Sequence, residues 1–497
     1  MNIDTIKSKV FSNLIWRFAE RCGAQGVSFI VSVVLARLLL PDDYGTVALV
    51  TVFTAVLQVF VDSGMGTALI QKKDADDIDF STVFYFNCVV CILLYAGMFV
   101  SAPLVASFYN KPELTSLVRV ISVTLLISGV KNIQQAYVSR NMLFKKFFYA
   151  TIAGTIFSAV LGIIMAYMGF GVWALVVQQL SNSVVDTIFL WITVKWRPRL
   201  AFSFKRLKGL FSFGWKLLAS AVLETVYNNI QQLVIGKLYS SVDLAYYNKG
   251  MQLPGIIINN INSSIDSVLL PAMSKEQDNV EHIKNMTKRS ICTSIYIIAP
   301  LMIGLAFTAP VLVRLLLTDK WLEIIPFLRI FCIVYMFYPI HTANLNAISA
   351  MGHSGLFLKL QVIKKITGMV FLFFSMQYGV MAMAYSSLLV SFLSQVINSW
   401  PARKLLGYGY IKQMKDIMPS VLLSIAMGII VSFFRYLQLP ELIILAVQII
   451  TGGIFYISIS AFFKLDSFQY LWKITKQYIL KLFHNIKKCT GNSGINE

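Results

Sequence analysis

The sequence predicts an all-α integral membrane protein of about fourteen transmembrane helices, in two six-helix lobes with two further helices appended. Three observations carry that prediction. Of 497 residues, 57% are hydrophobic and only 13% charged, against about 25% charged in an average globular chain. Mean hydropathy is +0.70 over the whole chain, and the apolar residues gather in runs of 18 or more, close to the roughly 20 residues that cross hydrocarbon as a helix. Lys and Arg between the runs alternate in abundance, as they do when topology is fixed by positive charge on one side. Such long runs exclude barrel strands, and the composition excludes disorder, collagen and a disulfide scaffold.

Taken in order, the first run, 10–36, follows Lys7 and Lys9 and itself carries Arg17, Glu20 and Arg21. Those charges, with no small-residue cleavage site, read as a permanent span and not a removable signal. Runs 44–69 and 82–108 are parted by Lys72 and Lys73; 116–139 is closed by Arg140, Lys145 and Lys146; 147–168 and 172–194 lead into a basic linker, 195–209. Runs 210–238 and 246–271 end at Lys275, Lys284, Lys288 and Arg289, and runs 290–317 and 324–350 precede Lys359. Runs 356–377 and 380–400 reach Arg403, Lys404, Lys412 and Lys415; runs 417–437 and 440–463 lead to a basic amphipathic tail, 465–497. With the N-terminus cytoplasmic, inner loops and tails hold 29 Lys and Arg and outer loops 7. The expected topology is multi-pass with both termini and the linker in the cytoplasm. The net charge of +20 is therefore read as topology, not nucleic-acid binding.

A repeat at an offset near 200 divides the chain into a first lobe, 1–194, and a second, 210–400, with 417–463 as the appended pair. Trp16 answers Trp215, Ala36-Arg37-Leu38 answers Gly236-Lys237-Leu238, Asp43 answers Asp243, and Asp62-Ser63 answers Asp266-Ser267. An even number of helices separates the copies, so the lobes share one topology about an axis along the membrane normal.

Polar stripes mark the equivalent first helices of the lobes. One runs through Arg17, Glu20/Arg21, Gln25, Ser28 and Ser32, the other through Lys216, Ser220, Glu224, Asn228 and Gln231. Lipid does not accept such a stripe, because a charge at the bilayer centre costs at least about 2.5–3.5 kcal/mol. A hydrated interlobe cavity explains both, with Asn259 and Asn262 adding to its lining and Lys131, Lys364 and Lys365 to its cations. The bland reading is that these groups pair with one another and join helices. Asp62 and Asp266, near the inner helix ends, are expected to cap helices or lock the lobes. Surplus cation suits a phosphate or pyrophosphate, whose oxygens accept charge-assisted hydrogen bonds.

Enzyme signatures are nearly absent. Asp74-Ala75-Asp76-Asp77 contains a DxD but sits in a short inner loop, and the histidines at 282, 341, 353 and 484 lack metal spacing. Cys88 and Cys91 form a lone CxxC, and the other cysteines are scattered, so no metal site, disulfide framework, cofactor or catalytic residue is expected.

Three segments, "LARLLLPDDYG" (35–45), "DSGMGTALIQ" (62–71) and "QQAYVSRNMLFKKF" (134–147), together with the two-lobe plan, resemble the polysaccharide-type flippases of the multidrug/oligosaccharidyl-lipid/polysaccharide exporter superfamily. The chain looks most like the lipopolysaccharide-biosynthesis exporters of colanic acid and related capsules. The resemblance implies a rocker-switch flippase that moves an undecaprenyl-diphosphate-linked oligosaccharide across the bacterial inner membrane for surface polysaccharide biosynthesis. It implies the lipid-linked sugar and membrane lipids as partners, with H+ or Na+ as coupling ion and polysaccharide polymerase machinery as further expectations. On that reading Arg21, Lys131, Lys216, Lys364 and Lys365 hold the head group, while Glu20 and Glu224 are ion-coupling candidates. A cation-coupled multidrug exporter of the same superfamily is the runner-up, and a membrane-embedded polymerase or ligase, disfavoured by the short outer loops, stands third.

Overall fold

The computed structural model describes Trp16, residues 23–62 and residues 65–477. Among the described residues every regular element is helical, and ten helical segments are long and apolar enough to cross a membrane. The expected count of fourteen is not established. Its other four runs correspond to α1 (Gly23–Leu38), short within the described residues, and to α9 (Phe204–Leu238), α10 (Ser241–Lys275) and α14 (Ser354–Ser375). These last three have the length to span but too many polar and charged side chains to pass as simple apolar helices, and α9 among them carries one of the two polar stripes read from the sequence.

Contacts divide the chain into two compact units, one ending at Tyr246 and one beginning at Tyr247. In the first, α2 (Pro41–Asp62), α3 (Met65–Gln71) and α4 (Asp77–Tyr109) precede α5 (Leu114–Ile121), α6 (Val123–Arg140), α7 (Phe144–Tyr167) and α8 (Val172–Thr193). α7 and α8 form an antiparallel pair, α6 packs on α4 and α8, and α9 packs along α2, α3 and α4. The tight α7–α8 turn places Gly169 and Gly171 at positive φ, where a Cβ is strained.

The basic linker is built into this unit. Trp196 and Leu207 join a buried cluster with Met65, Leu69, Phe80 and Ile133. Buried Ser81 and Thr82 on α4 accept hydrogen bonds from the backbone N–H groups of Arg199 and Ser203, at 2.9 and 3.1 Å. The acidic loop before α4 has a structural use too. Asp76 caps α4 in a reciprocal capping box with Asp79. Arg206 pairs with Asp76 and Asp79, Arg199 lies 2.8 Å from Asp77, and Lys72 lies 2.6 Å from buried Asp79. The Arg206 hydrogen bond, helped by the backbone N–H of Asp79, holds the Asp76 carboxyl down to about 2.

At the opposite end of α4, Lys111 Nζ donates to Asp42 Oδ1 (3.0 Å), Thr46 Oγ1 (3.2 Å) and Ser241 Oγ (2.8 Å). This network presses the first turn of α10 onto Gly45, where a Cβ would stand 1.7 Å from the Ser241 carbonyl oxygen. Gly45→Ala is therefore expected to lose about 1–3 kcal/mol or more by overpacking. The melting temperature of the purified protein checks this, with Gly66→Ala as the control, because a Cβ there meets only Ala136 Cβ at 3.9 Å. Equal melting of the two variants would contradict the packing account. The CxxC serves packing as well, since Gly129 leaves room for Cys91 Sγ, which a Cβ at 129 would approach to 2.5 Å.

The second unit continues α10 and adds α11 (Val280–Leu317), α12 (Ile324–Met336), α13 (Tyr338–Ala350), α14, α15 (Val380–Leu406), α16 (Tyr410–Phe433) and α17 (Glu441–Phe462). α11 is its central post, packed on α12, α13, α16 and α17, whereas α14 leans mainly on α13 and α15. A fully buried amide cluster joins three helices. Asn344 Nδ2 donates to Gln413 Oε1 (3.0 Å) and Ser399 Oγ (3.2 Å), and Gln413 Nε2 donates back to Asn344 Oδ1 (2.9 Å). Such mutual satisfaction is how polar groups join helices in hydrocarbon.

Beyond α17, residues 466–477 form a helix, α18. Its apolar side is only partly available to lipid: Phe468 and Leu471, with Leu465 just before it, pack against Tyr296, Met427, Val431 and Tyr456. Trp472 stays exposed and stacks on Phe468. The rest of the expected amphipathic tail lies outside the described residues.

Candidate functional site

Of the fourteen residues expected to form the site, Glu20 and Arg21 lie outside the described residues, and Lys216 is placed only by its position on α9. The others fall into three groups.

The first group is a set of exposed or half-buried polar side chains, some in each unit. Gln25 on α1, Glu224 and Asn228 on α9, and Asn259 on α10 are exposed, with Gln231 half-buried. Asn228 Nδ2 donates to Glu224 Oε1 one turn away, at 3.3 Å. An exposed carboxylate well inside a long helix of a membrane protein requires water beside it, since hydrocarbon does not solvate it. Lys364 and Lys365 are half-buried on α14, and Lys364 lies close enough to the His341 imidazole to act on it electrostatically. Adjacent residues point about 100° apart around a helix, so these two lysines present charge over a broad arc and not along one line.

The second group is a carboxylate arrangement that occurs once in each unit. In the first, Asp62 Oδ1 accepts from Gln58 Nε2 (3.1 Å), one turn back on α2, and from Asn132 Nδ2 (2.7 Å) on α6. In the second, Asp266 accepts from Asn262 Nδ2 (3.3 Å), one turn back on α10, and from Asn346 Nδ2 (2.7 Å) on α13. Asn262 is itself buried and accepts from Thr342 Oγ1 at 2.8 Å. Each carboxylate is thus oriented by an amide on its own helix and one on a neighbouring helix of the same unit. The helix starts repeat in the same way: Asp43 accepts from the Leu40 N–H (2.9 Å) and Asp243 from the Ser240 N–H (3.2 Å). Sequence reading named Asp62, Asp266 and Asn262 but missed Asn132 and Asn346. The signal was present, because two asparagines near one offset follow two aspartates at a similar one.

The third group is a single ion pair. Lys131 Nζ on α6 lies 2.6 Å from Asp186 Oδ2 on α8, and Asp186 is nearly buried, its side chain 8% exposed. The second carboxylate oxygen of Asp186 is buried without a hydrogen-bond partner among the described residues. The corresponding helices of the second unit, α13 and α15, carry a neutral counterpart in His341 Nδ1 and Asn398 Nδ2, 2.9 Å apart.

A family model described as "Polysaccharide biosynthesis protein" matches residues 34–326. The chain is 27% identical over 384 residues to the teichuronic acid biosynthesis protein TuaB of Bacillus subtilis, covering 76% of this chain and 79% of that protein. It is 24% identical to the succinoglycan biosynthesis transport protein ExoT of Rhizobium meliloti, covering 64% of each. It is 22% identical to the lipopolysaccharide biosynthesis protein WzxC of Escherichia coli, covering 86% of this chain and 89% of that protein. Among solved structures, the lipid II flippase MurJ in an inward closed conformation superposes with a TM-score of 0.71 at 16% identity, covering 92% of this chain and 99% of MurJ. An inward-facing multidrug resistance MATE family transporter of the MOP superfamily gives a TM-score of 0.57 at 15% identity, covering 76% and 94%.

Proposed function

The chain belongs to the polysaccharide biosynthesis protein family, and from that premise we propose that it is a flippase for a lipid-linked oligosaccharide, acting in surface polysaccharide biosynthesis and not as an enzyme. The observation that carries the reading is the set of exposed or half-exposed polar and cationic side chains, Gln25, Glu224, Asn228, Asn259, Lys364 and Lys365, on helices that must cross or enter the bilayer. Phosphate oxygens answer the cations, and sugar hydroxyls answer the amides and carboxylates. The relatives' names, biosynthesis and transport of teichuronic acid, succinoglycan and lipopolysaccharide, agree with that substrate class.

In this reading Arg21, Lys216, Lys364 and Lys365 hold the diphosphate of an undecaprenyl carrier, and Lys131 is already neutralised by Asp186. The lobes 1–194 and 210–400 rock about the substrate, linked through 195–209, with 417–463 appended and 465–497 at the surface. The protein lies in a bacterial inner membrane with both termini cytoplasmic, a topology supported by the 29-to-7 division of loop cations. Without a nucleotide site, transport draws on gradients or on consumption of the product by polymerase machinery. Moving about two negative charges outward gains about 4–5 kcal/mol at 100 mV, from about 2.3 kcal/mol per charge. Glu224 offers a second input, by taking up H+ or Na+.

Purified protein in liposomes tests the reading. A fluorescent lipid-linked oligosaccharide is expected to reach the outer leaflet, and more slowly once the membrane potential is collapsed. Cation-dependent efflux of a dye with no movement of the lipid would instead favour the drug-exporter alternative, which the exposed Glu224 and the MATE-like fold keep in view.

A further inference from the structure

An open cleft of about 1220 Å3 lies in the second unit where α11 and α16 begin, with α18 along one side and the end of α10 on another. No residue of the proposed transport path lines it. Its charges become informative once internal partners are removed. Lys288 lies 3.2 Å from Asp416, which also accepts from Tyr408 Oη at 2.8 Å, and His282 lies 3.1 Å from Glu276. The His282 contact does not by itself cancel the Glu276 charge, so Lys275, Arg289 and Lys473 remain on the lining against Glu276 and Asp466, and among the described residues neither Lys275 nor Lys473 forms an ion pair.

Arg289 is held in a way that keeps it available. Its guanidinium lies 4.1 Å from the centroid of the Tyr470 ring. A cation–π contact of this kind uses none of the guanidinium N–H groups, which among the described residues make no hydrogen bond and can meet an oxyanion bidentately. Tyr470 belongs to α18, whose Phe468 and Leu471 are fixed in the unit's core, so the aromatic platform is fixed as well. The cleft also sits at a defined level. Trp472 is 61% exposed on the same helix, and Phe462 and Phe463 are exposed at the end of α17, which is how aromatic side chains distribute at the boundary between lipid and water.

We propose that this cleft binds a phosphate-bearing anion at the membrane surface, with Arg289 as the bidentate donor and Lys275 and Lys473 as flanking charges. The phosphate belongs either to the head group of an anionic phospholipid or to a soluble phosphate. Occupancy ties α18 to the start of α11, because Arg289 and Lys473 then share the ligand. None of the residues proposed to hold the head group lines the cleft, so binding and flipping fail independently.

The test uses the full chain in nanodiscs. One arm contains phosphatidylglycerol, and native mass spectrometry counts the lipid retained on release. The other contains only phosphatidylcholine, and thermal shift is read against added inorganic phosphate. The expected result is specific retention in the first arm or saturable stabilisation in the second, weakened about tenfold or more in Arg289→Gln and in Lys473→Gln. That is the size expected for one hydrogen bond to a charged group. Lys359→Gln, an exposed lysine outside the cleft, should leave both readouts unchanged. The arm that responds names the source. The proposal is overturned if neither arm responds, or if Arg289→Gln and Lys473→Gln bind as well as the unaltered protein while melting at the same temperature.

Discussion

Replacing Lys364 and Lys365 together by Ala is expected to abolish export of the polysaccharide while leaving folded protein in the membrane. The two lysines sit mid-helix on α14, which packs mainly on α13 and α15 and buries few of its described residues. Removing their charge therefore takes little from the core of the second unit. What it takes from a diphosphate is large. Each hydrogen bond to a charged group is worth about 1.5–3 kcal/mol, so one lysine costs roughly ten- to hundredfold in head-group binding and both together more than a cell-based export assay tolerates. Single Ala variants should fall between. Lys→Arg at both positions should restore part of the export, because the charge and the donors are retained even though the geometry differs. Surface polysaccharide measured in a deletion strain, beside the amount of tagged protein in the membrane fraction, checks the prediction. Normal export by the double Ala variant would remove these lysines from the substrate path. Loss of the protein itself would assign them to helix joining.

The elements were legible in the sequence because hydropathy is a property of single segments. Each predicted run that lies among the described residues corresponds to one helix or two consecutive ones, and α1, α9, α10 and α14, the helices that do not stand as simple apolar spans, include those to which periodicity assigns polar faces. Partners were less legible. Helical period says which residues share a face and not what that face meets. Asp62 and Asp266 were named from the sequence, but the asparagines that orient them, some 70–80 residues further along the chain within each unit, were not. The DxD reads from sequence as part of a short inner loop, but Asp76 and Asp77 meet Arg206 and Arg199 from the basic linker. The phosphate cleft could not be read at all, since Lys275, Arg289 and Lys473 come from three separate helical segments and only tertiary structure brings them to one lining.

Lys131 is the residue on which the sequence and the structure pull hardest against each other, and a pair of substitutions separates the two readings. Lys131→Met alone is expected to be strongly destabilising, by about 3–5 kcal/mol, because it strands the nearly buried Asp186 without its cation. Nothing nearby takes up that charge, given that Asp186 Oδ1 already lacks a hydrogen-bond partner among the described residues. Lys131→Met combined with Asp186→Leu removes both charges and keeps similar volumes, and such apolar replacement of a buried pair is often neutral or stabilising. The double variant should therefore recover the folded yield and melting temperature that the single variant loses. Recovered folding in turn makes its transport interpretable. With Lys131 acting only to join α6 to α8, the folded double variant flips the lipid-linked sugar at close to the normal rate, and this is the outcome expected from a 2.6 Å pair with so little exposure on the carboxylate side. A double variant that folds normally but no longer flips would show that the Lys131 charge reaches the substrate, with Asp186 serving to hold it in place. A double variant no more stable than the single one would mean that the pair is not an independent unit, and that the neighbouring Asn132–Asp62 contact, one residue further along α6, depends on it.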